Sequence, residues 1–454
     1  MRSELEAREG RADAMISREA ETNAEAHERD GPMGIGTWML VLFLFVLLLV
    51  STVDRVLPVV LMAPMKARFG FSDFAIGMLI GPGFGVLYAG LAYPAGWLAD
   101  RFGRHRTIAI AVVLWSLASA ASGLARDISE LFVARASIAI CEAVLSPAAF
   151  AIIGARVPPS RAALPLSCYT CAPYMGFGIA ILLGGHFGRV NAPLIGLPII
   201  GETESWQVCF ELTAAIGLML APIILVFREQ RGDNADVTSA AESEAVAMRM
   251  FLRENRSRIL SLLLLFSLMG ILSFGLVTWS APYVQRSFNS RVTVYLAAIS
   301  AIFGTIGGVV TGKLVIWLRG RVRDPYVLYA TITSATALPI VALGYLASSP
   351  SFFLVSFAIV ITFYTPSLGY AAAALNEFTP ELLRARAGAI LFTCLNFVGN
   401  VIGPPLIGAI STMLGGERHL GASVAGVVAA GGLLIVSIGA VILYSGASRS
   451  KAIA

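Results

Sequence analysis

Charge is scarce in this chain of 454 residues: 13% are Asp, Glu, Lys or Arg, about half the share usual in soluble proteins. That shortage excludes an ordinary water-exposed surface. Histidines number four and cysteines five. No His-Glu-x-x-His run occurs, and no Gly-x-x-x-x-Gly-Lys-Ser/Thr loop. The first absence removes a zinc-hydrolase reading, the second an ATP-driven pump. No nucleophile–base set stands out, so an intramembrane enzyme is not expected. Cys168-Tyr-Thr-Cys171 has a redox or metal spacing. It lacks a second pair and lies in an apolar stretch, so small buried thiols, with no metal and no cofactor, are expected.

What fills the chain is hydrocarbon: 57% hydrophobic residues and a mean hydropathy of +0.78. Apolar runs long enough to cross a bilayer recur along almost the whole length. They fall near 37–63, 74–98, 106–125, 129–156, 163–187, 206–228, 259–285, 293–318, 326–347, 352–377, 386–414 and 421–444. Backbone amides in lipid must be paired within the segment, so each run reads as a helix. The expected fold is an all-α membrane protein with twelve transmembrane helices. The net charge of +5 reflects Lys and Arg in short loops, a topology signal rather than a nucleic-acid patch. They concentrate after runs 2, 4, 6, 8 and 10 and in the tail, which puts both termini in the cytoplasm.

The chain repeats itself. Gly96-Trp-Leu-Ala-Asp-Arg-Phe-Gly-Arg follows run 2, and Gly312-Lys-Leu-Val-Ile-Trp-Leu-Arg-Gly-Arg follows run 8, 216 residues later. Arg161 after run 4 is echoed by Arg384 after run 10, 223 residues later. Two echoes at similar offsets predict a duplicated six-helix unit, as in many secondary transporters. The expected layout is a disordered cytoplasmic tail (1–35), a six-helix bundle (36–228), a cytoplasmic linker forming an interfacial helix (229–258), a second bundle (259–446) and a short tail (447–454).

The loop Gly96 to Arg106 resembles the signature of the major facilitator superfamily, at the place where that family carries it. Further pieces resemble the spinster-like branch, the lysolipid and sphingolipid-phosphate transporters and their bacterial relatives. They are Asp54-Arg55, Pro64-Met-Lys, Phe69-Gly-Phe-Ser-Asp, Arg135, Cys141-Glu142-Ala143, Pro147, Leu383-Arg-Ala-Arg-Ala387, Asn396, Gly399 and Gly403-Pro-Pro-Leu-Ile-Gly408. The sequence departs from the branch at Cys141, where glycine is usual, and around Cys171-Ala-Pro-Tyr-Met-Gly. The resemblance implies two pseudo-symmetric six-helix bundles in a bacterial inner membrane, with protons as coupling ion. It also implies that Gly96, Asp100, Arg101, Gly103 and Arg104 form a cytoplasmic gate.

Ionisable residues inside membrane runs are expensive and mark function by default. Asp54 and Arg55 lie in run 1; Arg135 and Glu142 lie in run 4. Arg135 and Glu142 are seven residues apart, two helical turns, and so share one face about 10 Å apart. Asp54 and Arg55 point about 100° apart and cannot face one partner. The expected division gives proton coupling to Asp54 and Glu142, and the anionic group of a substrate to Arg55 or Arg135. A static ion-pair network bracing runs 1 and 4 is the plainer alternative. Tyr88, Phe150, Tyr169, Phe274, Trp279, Tyr364 and Asn396 are candidate cavity-lining residues.

The expected function is proton-coupled secondary transport of an amphipathic, anionic, lipid-like solute by alternating access. A proton-coupled drug exporter or a carrier of small organic anions is the alternative, and a non-transporting receptor or lipid sensor a remote one. The expected partners are membrane lipids and the solute, with no nucleic acid and the chain acting as a monomer.

Overall fold

A computed structural model describes residues 34–157, 161, 163–188, 194–197, 201–227, 248–288, 290–319, 321–322, 324–366 and 370–451. The polar N-terminal tail and most of the linker expected over 229–258 lie outside the described residues. Of that linker, residues 248–254 are helical.

Twelve apolar helices dominate. They are α1 (Ile35–Val60), α2 (Asp73–Phe102), α3 (Arg104–Gly123), α4 (Ile128–Arg156), α5 (Leu164–Phe187), α6 (Ser205–Val226), α7 (Arg256–Ser287), α8 (Arg291–Leu318), α9 (Pro325–Leu346), α10 (Pro350–Tyr364), α11 (Glu381–Met413) and α12 (Leu420–Tyr444). Two bundles of six, α1–α6 and α7–α12, give the major facilitator architecture. Consecutive helices alternate in direction. One end of the molecule therefore carries the 96–106 loop (the loop end); the other carries Val60, Asp73, Phe187, Ser287 and Met413 (the far end).

Side-chain caps start several helices. Ser72 Oγ accepts the Ala75 N–H at 3.2 Å, and Asp127 Oδ1 accepts those of Ser129 and Glu130 at 2.7 and 3.0 Å. These caps satisfy amides that have no partner within the helix. Proline and glycine interrupt others. α2 is broken at Gly81, α4 around residues 143–144 ahead of Pro147, and α5 at Cys171 ahead of Pro173.

Two features differ from expectation. The run expected over 352–377 contains a π-helical turn over Val360–Tyr364 and is helical again over Tyr370–Asn376. The connection after α5 also holds a small antiparallel hairpin, β1 (Ile195–Leu197) with β2 (Gly201–Thr203), pairing Ile195 with Thr203.

The halves meet along α2 with α11 and α5 with α8. A Cβ on Gly77 would sit 2.7 Å from Pro405 Cα and 2.8 Å from the Pro404 carbonyl oxygen; one on Gly178 would sit 2.9 Å from the Ala297 carbonyl oxygen. Such close backbone approach admits only glycine, the usual device for membrane-helix packing. Gly77→Val is expected to keep the far end from closing, because backbone cannot move aside as a side chain can. The check is uptake into proteoliposomes; wild-type rates in the variant would show that this contact is dispensable.

Candidate functional site

The four ionisable residues singled out in runs 1 and 4 meet in the interior of the first bundle. Arg135 donates to Asp54 Oδ2 at 3.1 Å, and Arg55 donates to Glu142 Oε2 at 2.8 Å. Adjacent residues on α1 thus take partners two turns apart on α4, as the 100° divergence requires.

A proline explains part of this geometry. Pro58 lies four residues after Asp54 and has no N–H, so the Asp54 carbonyl has no donor within its own helix. Arg135 Nη1 fills that place at 3.1 Å, and its Nη2 reaches the Arg55 carbonyl at 3.2 Å. The Asp54 carboxylate also accepts from Ser119 of α3 and from Thr213 of α6, the latter at 3.2 Å. Four helices therefore converge on one carboxylate.

Burial separates the two pairs. The side chains of Asp54, Arg135 and Glu142 are 0%, 3% and 0% exposed, whereas Arg55 is 33% exposed. Its guanidinium lies 4.7 Å from the centre of the Phe84 ring and 4.5 Å from that of Tyr88. Flat π faces suit a delocalised cation and leave its edge available to an anion. Glu142 Oε1 is buried with no hydrogen-bond partner among the described residues. An unsatisfied buried oxygen is costly, and it marks this pair as the less settled of the two.

The other candidates are dispersed. Tyr88 shares the site and lies 3.5 Å from Ser146 Oγ. Phe150 is exposed and packs edge-on against buried Tyr169, with ring centres 5.5 Å apart. Phe274 is half-buried and closes on Gly399. Trp279 and Tyr364 are buried within the second bundle, their polar atoms on the carbonyls of Pro404 (3.0 Å) and Met269 (3.4 Å). Asn396 falls on α11, but its side chain lies outside the described residues. Among the described residues, no three His, Cys, Asp or Glu side chains cluster to hold a metal.

At the loop end, Asp100 pairs with Arg104 of its own half at 2.8 Å, and Arg104 also donates to the Ala151 carbonyl. Asp100 and Arg101 are exposed, while Gly103 carries the positive φ of 97° that turns the chain. A Cβ on Gly96 would lie 3.5 Å from the Pro147 side chain of α4, an ordinary contact distance.

The far end holds a cluster to which the sequence analysis assigns no role. Asp73 is fully buried and takes Arg286 of α7 through both carboxylate oxygens, at 2.8 and 2.9 Å. Lys66 adds a third contact at 3.0 Å and Ser411 of α11 a fourth at 2.7 Å. Gln285 donates to the Val60 carbonyl at 2.9 Å, and Thr412 accepts the Phe74 N–H at 3.2 Å. Apart from the Lys66 contact, which lies within the first half, these bonds join the two bundles at this end. The far end is clasped shut.

Phe84, Ser119, Thr213, Arg286 and Ser411 are site residues that sequence reasoning misses, and Lys66 and Asp73, which fall in pieces that resemble the spinster-like branch, are given no role by it. Lys66 and Asp73 sit in a polar connection and Arg286 at a helix end, where charge needs no special explanation. Only the acidic residue so close to the start of run 2 could have drawn notice. Glu211, half-buried inside α6, is missed as well.

The sequence model of the Major Facilitator Superfamily matches residues 43–372. An MFS-type efflux pump of Mycolicibacterium smegmatis is 26% identical over 409 residues, 88% of this chain and 90% of its own. A cis,cis-muconate transport protein of Acinetobacter baylyi is 25% identical over 415 residues, 87% and 92% of the two chains. A crystal structure of a bacterial homologue of the human lysosomal transporter Spinster, inward-facing and unoccupied, superposes with a TM-score of 0.72 at 22% identity, covering 91% of this chain and 96% of that one. With twelve membrane helices in two bundles and the loop signature in place, the chain belongs to the major facilitator superfamily, as a multi-pass secondary transporter.

Proposed function

We infer that this transporter is a proton-coupled carrier of an amphipathic, anionic, lipid-like solute. The observation that carries the reading is the unequal burial of two ion pairs. One is sealed and held by four helices. The other offers a one-third exposed arginine between two aromatic rings.

The solute's anionic group takes Arg55, and its apolar part lies along Phe84, Tyr88 and Phe150. Glu142, itself 0% exposed, then loses its cation at a place where a lone carboxylate is poorly tolerated, and accepts a proton. Substrate and proton are coupled because they compete for one ion pair. Asp54 and Arg135 keep α1, α3, α4 and α6 in register, and Asp54 is the second proton-coupling group. With both termini in the cytoplasm of a bacterial inner membrane, the loop end faces inward and the far end outward. The clasped far end then corresponds to an inward-facing state. Exchange proceeds by rocking of α1–α6 against α7–α12, with Gly96, Asp100, Arg101, Gly103 and Arg104 closing the cytoplasmic side in the opposite state.

A carrier of small organic anions is the second reading. The compact aromatic setting of Arg55 favours it, as does the similarity to a muconate transport protein.

Flux into proteoliposomes tests both, using labelled lysophospholipid and labelled muconate with and without a pH gradient. Gradient-driven movement of the lysolipid, reduced at least about tenfold in Arg55→Ala, is the expected result; a tenfold loss equals about 1.4 kcal/mol. Movement of muconate alone would favour the second reading. Transport of either solute unaffected by Arg55→Ala would remove Arg55 from the site.

A further inference from the structure

The outer end of the second bundle contains a cleft that the transport cycle described above does not use. It has a volume of about 350 Å³ and lies where α7 ends, α9 ends and α12 begins. Pockets for small ligands start at about this size. Two arginines, Arg286 and Arg418, line it together with Tyr283, Phe288, Tyr345 and Ser348, and among the described residues no acidic side chain does. Arg286 is paired with Asp73 behind the wall, so the uncompensated cation is Arg418, which has no ion pair among the described residues, and the rings give a surface for an apolar body.

Arg286 ties the cleft to the clasp. A guanidinium has five N–H groups. Three are engaged here, two by Asp73 and one by Met62 Sδ at 3.0 Å. The Nε–H and the second Nη1–H have no partner among the described residues, and Arg286 is one of the residues that line the cleft. An anion bound there shares the arginine with Asp73 and weakens its hold across the halves. Arg418 is exposed and takes no part in the clasp.

We propose that this cleft is an outward-facing binding site for a small organic anion, an anionic oxygen group on an apolar or aromatic body, whose occupancy loosens the Asp73–Arg286 clasp and favours opening of the outer side. The ligand's source is either a dissolved carboxylate or an anionic lipid headgroup. The site is separate from Arg55 and stands whatever solute Arg55 carries; only the word outward rests on the orientation inferred above.

The test uses the full chain in nanodiscs with benzoate as probe and benzamide as neutral control. Calorimetry measures binding. Spin labels at exposed Ala67 and Met413, in a cysteine-free background, report the distance between halves at the far end. Benzoate is expected to bind in wild type and in Arg55→Ala alike, at least about tenfold more weakly in Arg418→Ala, and to lengthen the label distance; Arg418→Lys restores binding in part. Repeating the titration in phosphatidylcholine and in phosphatidylglycerol discs separates the sources. Weakened binding in the anionic lipid identifies a headgroup, and equal binding a dissolved anion. Binding that is lost in Arg55→Ala but kept in Arg418→Ala overturns the proposal, as does benzoate binding no tighter than benzamide, or an unchanged label distance at saturation.

Discussion

Asp54→Asn is expected to lose transport and thermal stability together, whereas Glu142→Gln is expected to lose only the response to a pH gradient. Asp54 neutralises a buried arginine and accepts from Ser119 and Thr213. Its amide leaves Arg135 charged and unpaired at 3% exposure. Removing one partner of a buried pair costs about 3–5 kcal/mol; the amide oxygen retains one acceptor, so the lower end of that range applies. Glu142 differs because its partner Arg55 already meets water. A freed Arg55 is solvated, and a neutral glutamine suits a closed pocket better than a lone carboxylate. Melting in detergent and uptake with and without a gradient separate the two outcomes. An Asp54→Asn variant that melts with wild type would mean that Arg135 finds other compensation.

The second large effect belongs to the clasp. Asp73→Ala is expected to shift the protein toward the state open at the far end by about 100-fold or more. Asp73 takes four hydrogen bonds, two from Arg286 and one each from Lys66 and Ser411. Bonds to charged groups contribute about 1.5–3 kcal/mol each, and Ser411 and Arg286 reach it only while the halves are closed there. Only such state-dependent contacts move the equilibrium. A 100-fold shift needs about 2.8 kcal/mol, well within what the lost bonds supply. The deletion also leaves Lys66 and Arg286 facing one another as like charges. Distances between labels at Ala67 and Met413 measure the shift. An unchanged distribution would assign closure to the Gly77–Pro405 packing instead.

Much of the molecule is readable in sequence because lipid imposes a simple rule. Backbone polar groups must be paired locally, so a long apolar run can only be a helix. Twelve runs correspond to twelve helices, and the echo of Gly96 to Arg104 at Gly312 reveals the duplication. The 100° divergence of Asp54 and Arg55 anticipates two partners. The same rule fails where the helices break. The π-helical turn at Val360–Tyr364 comes with a hydrogen bond of 2.6 Å from Tyr329 to the Phe363 carbonyl, a contact from a neighbouring helix.

Sequence alone determined that Asp54, Arg55, Arg135 and Glu142 lie in apolar helices and that two of them share a face. That both carboxylates would be sealed, and that Arg55 rather than Arg135 would be exposed, was decided by the tertiary structure. Exposure depends on Ser119, Thr213, Phe84 and Tyr88, residues of three other helices with no distinguishing mark in their own stretches. The clasp was decided in the same way. Asp73 and Arg286 are 213 residues apart, and each alone resembles an ordinary charge at a helix end. Only the closure of one bundle on the other removes Asp73 from water and makes its partners matter, because a buried charge must be paired while an exposed one need not be.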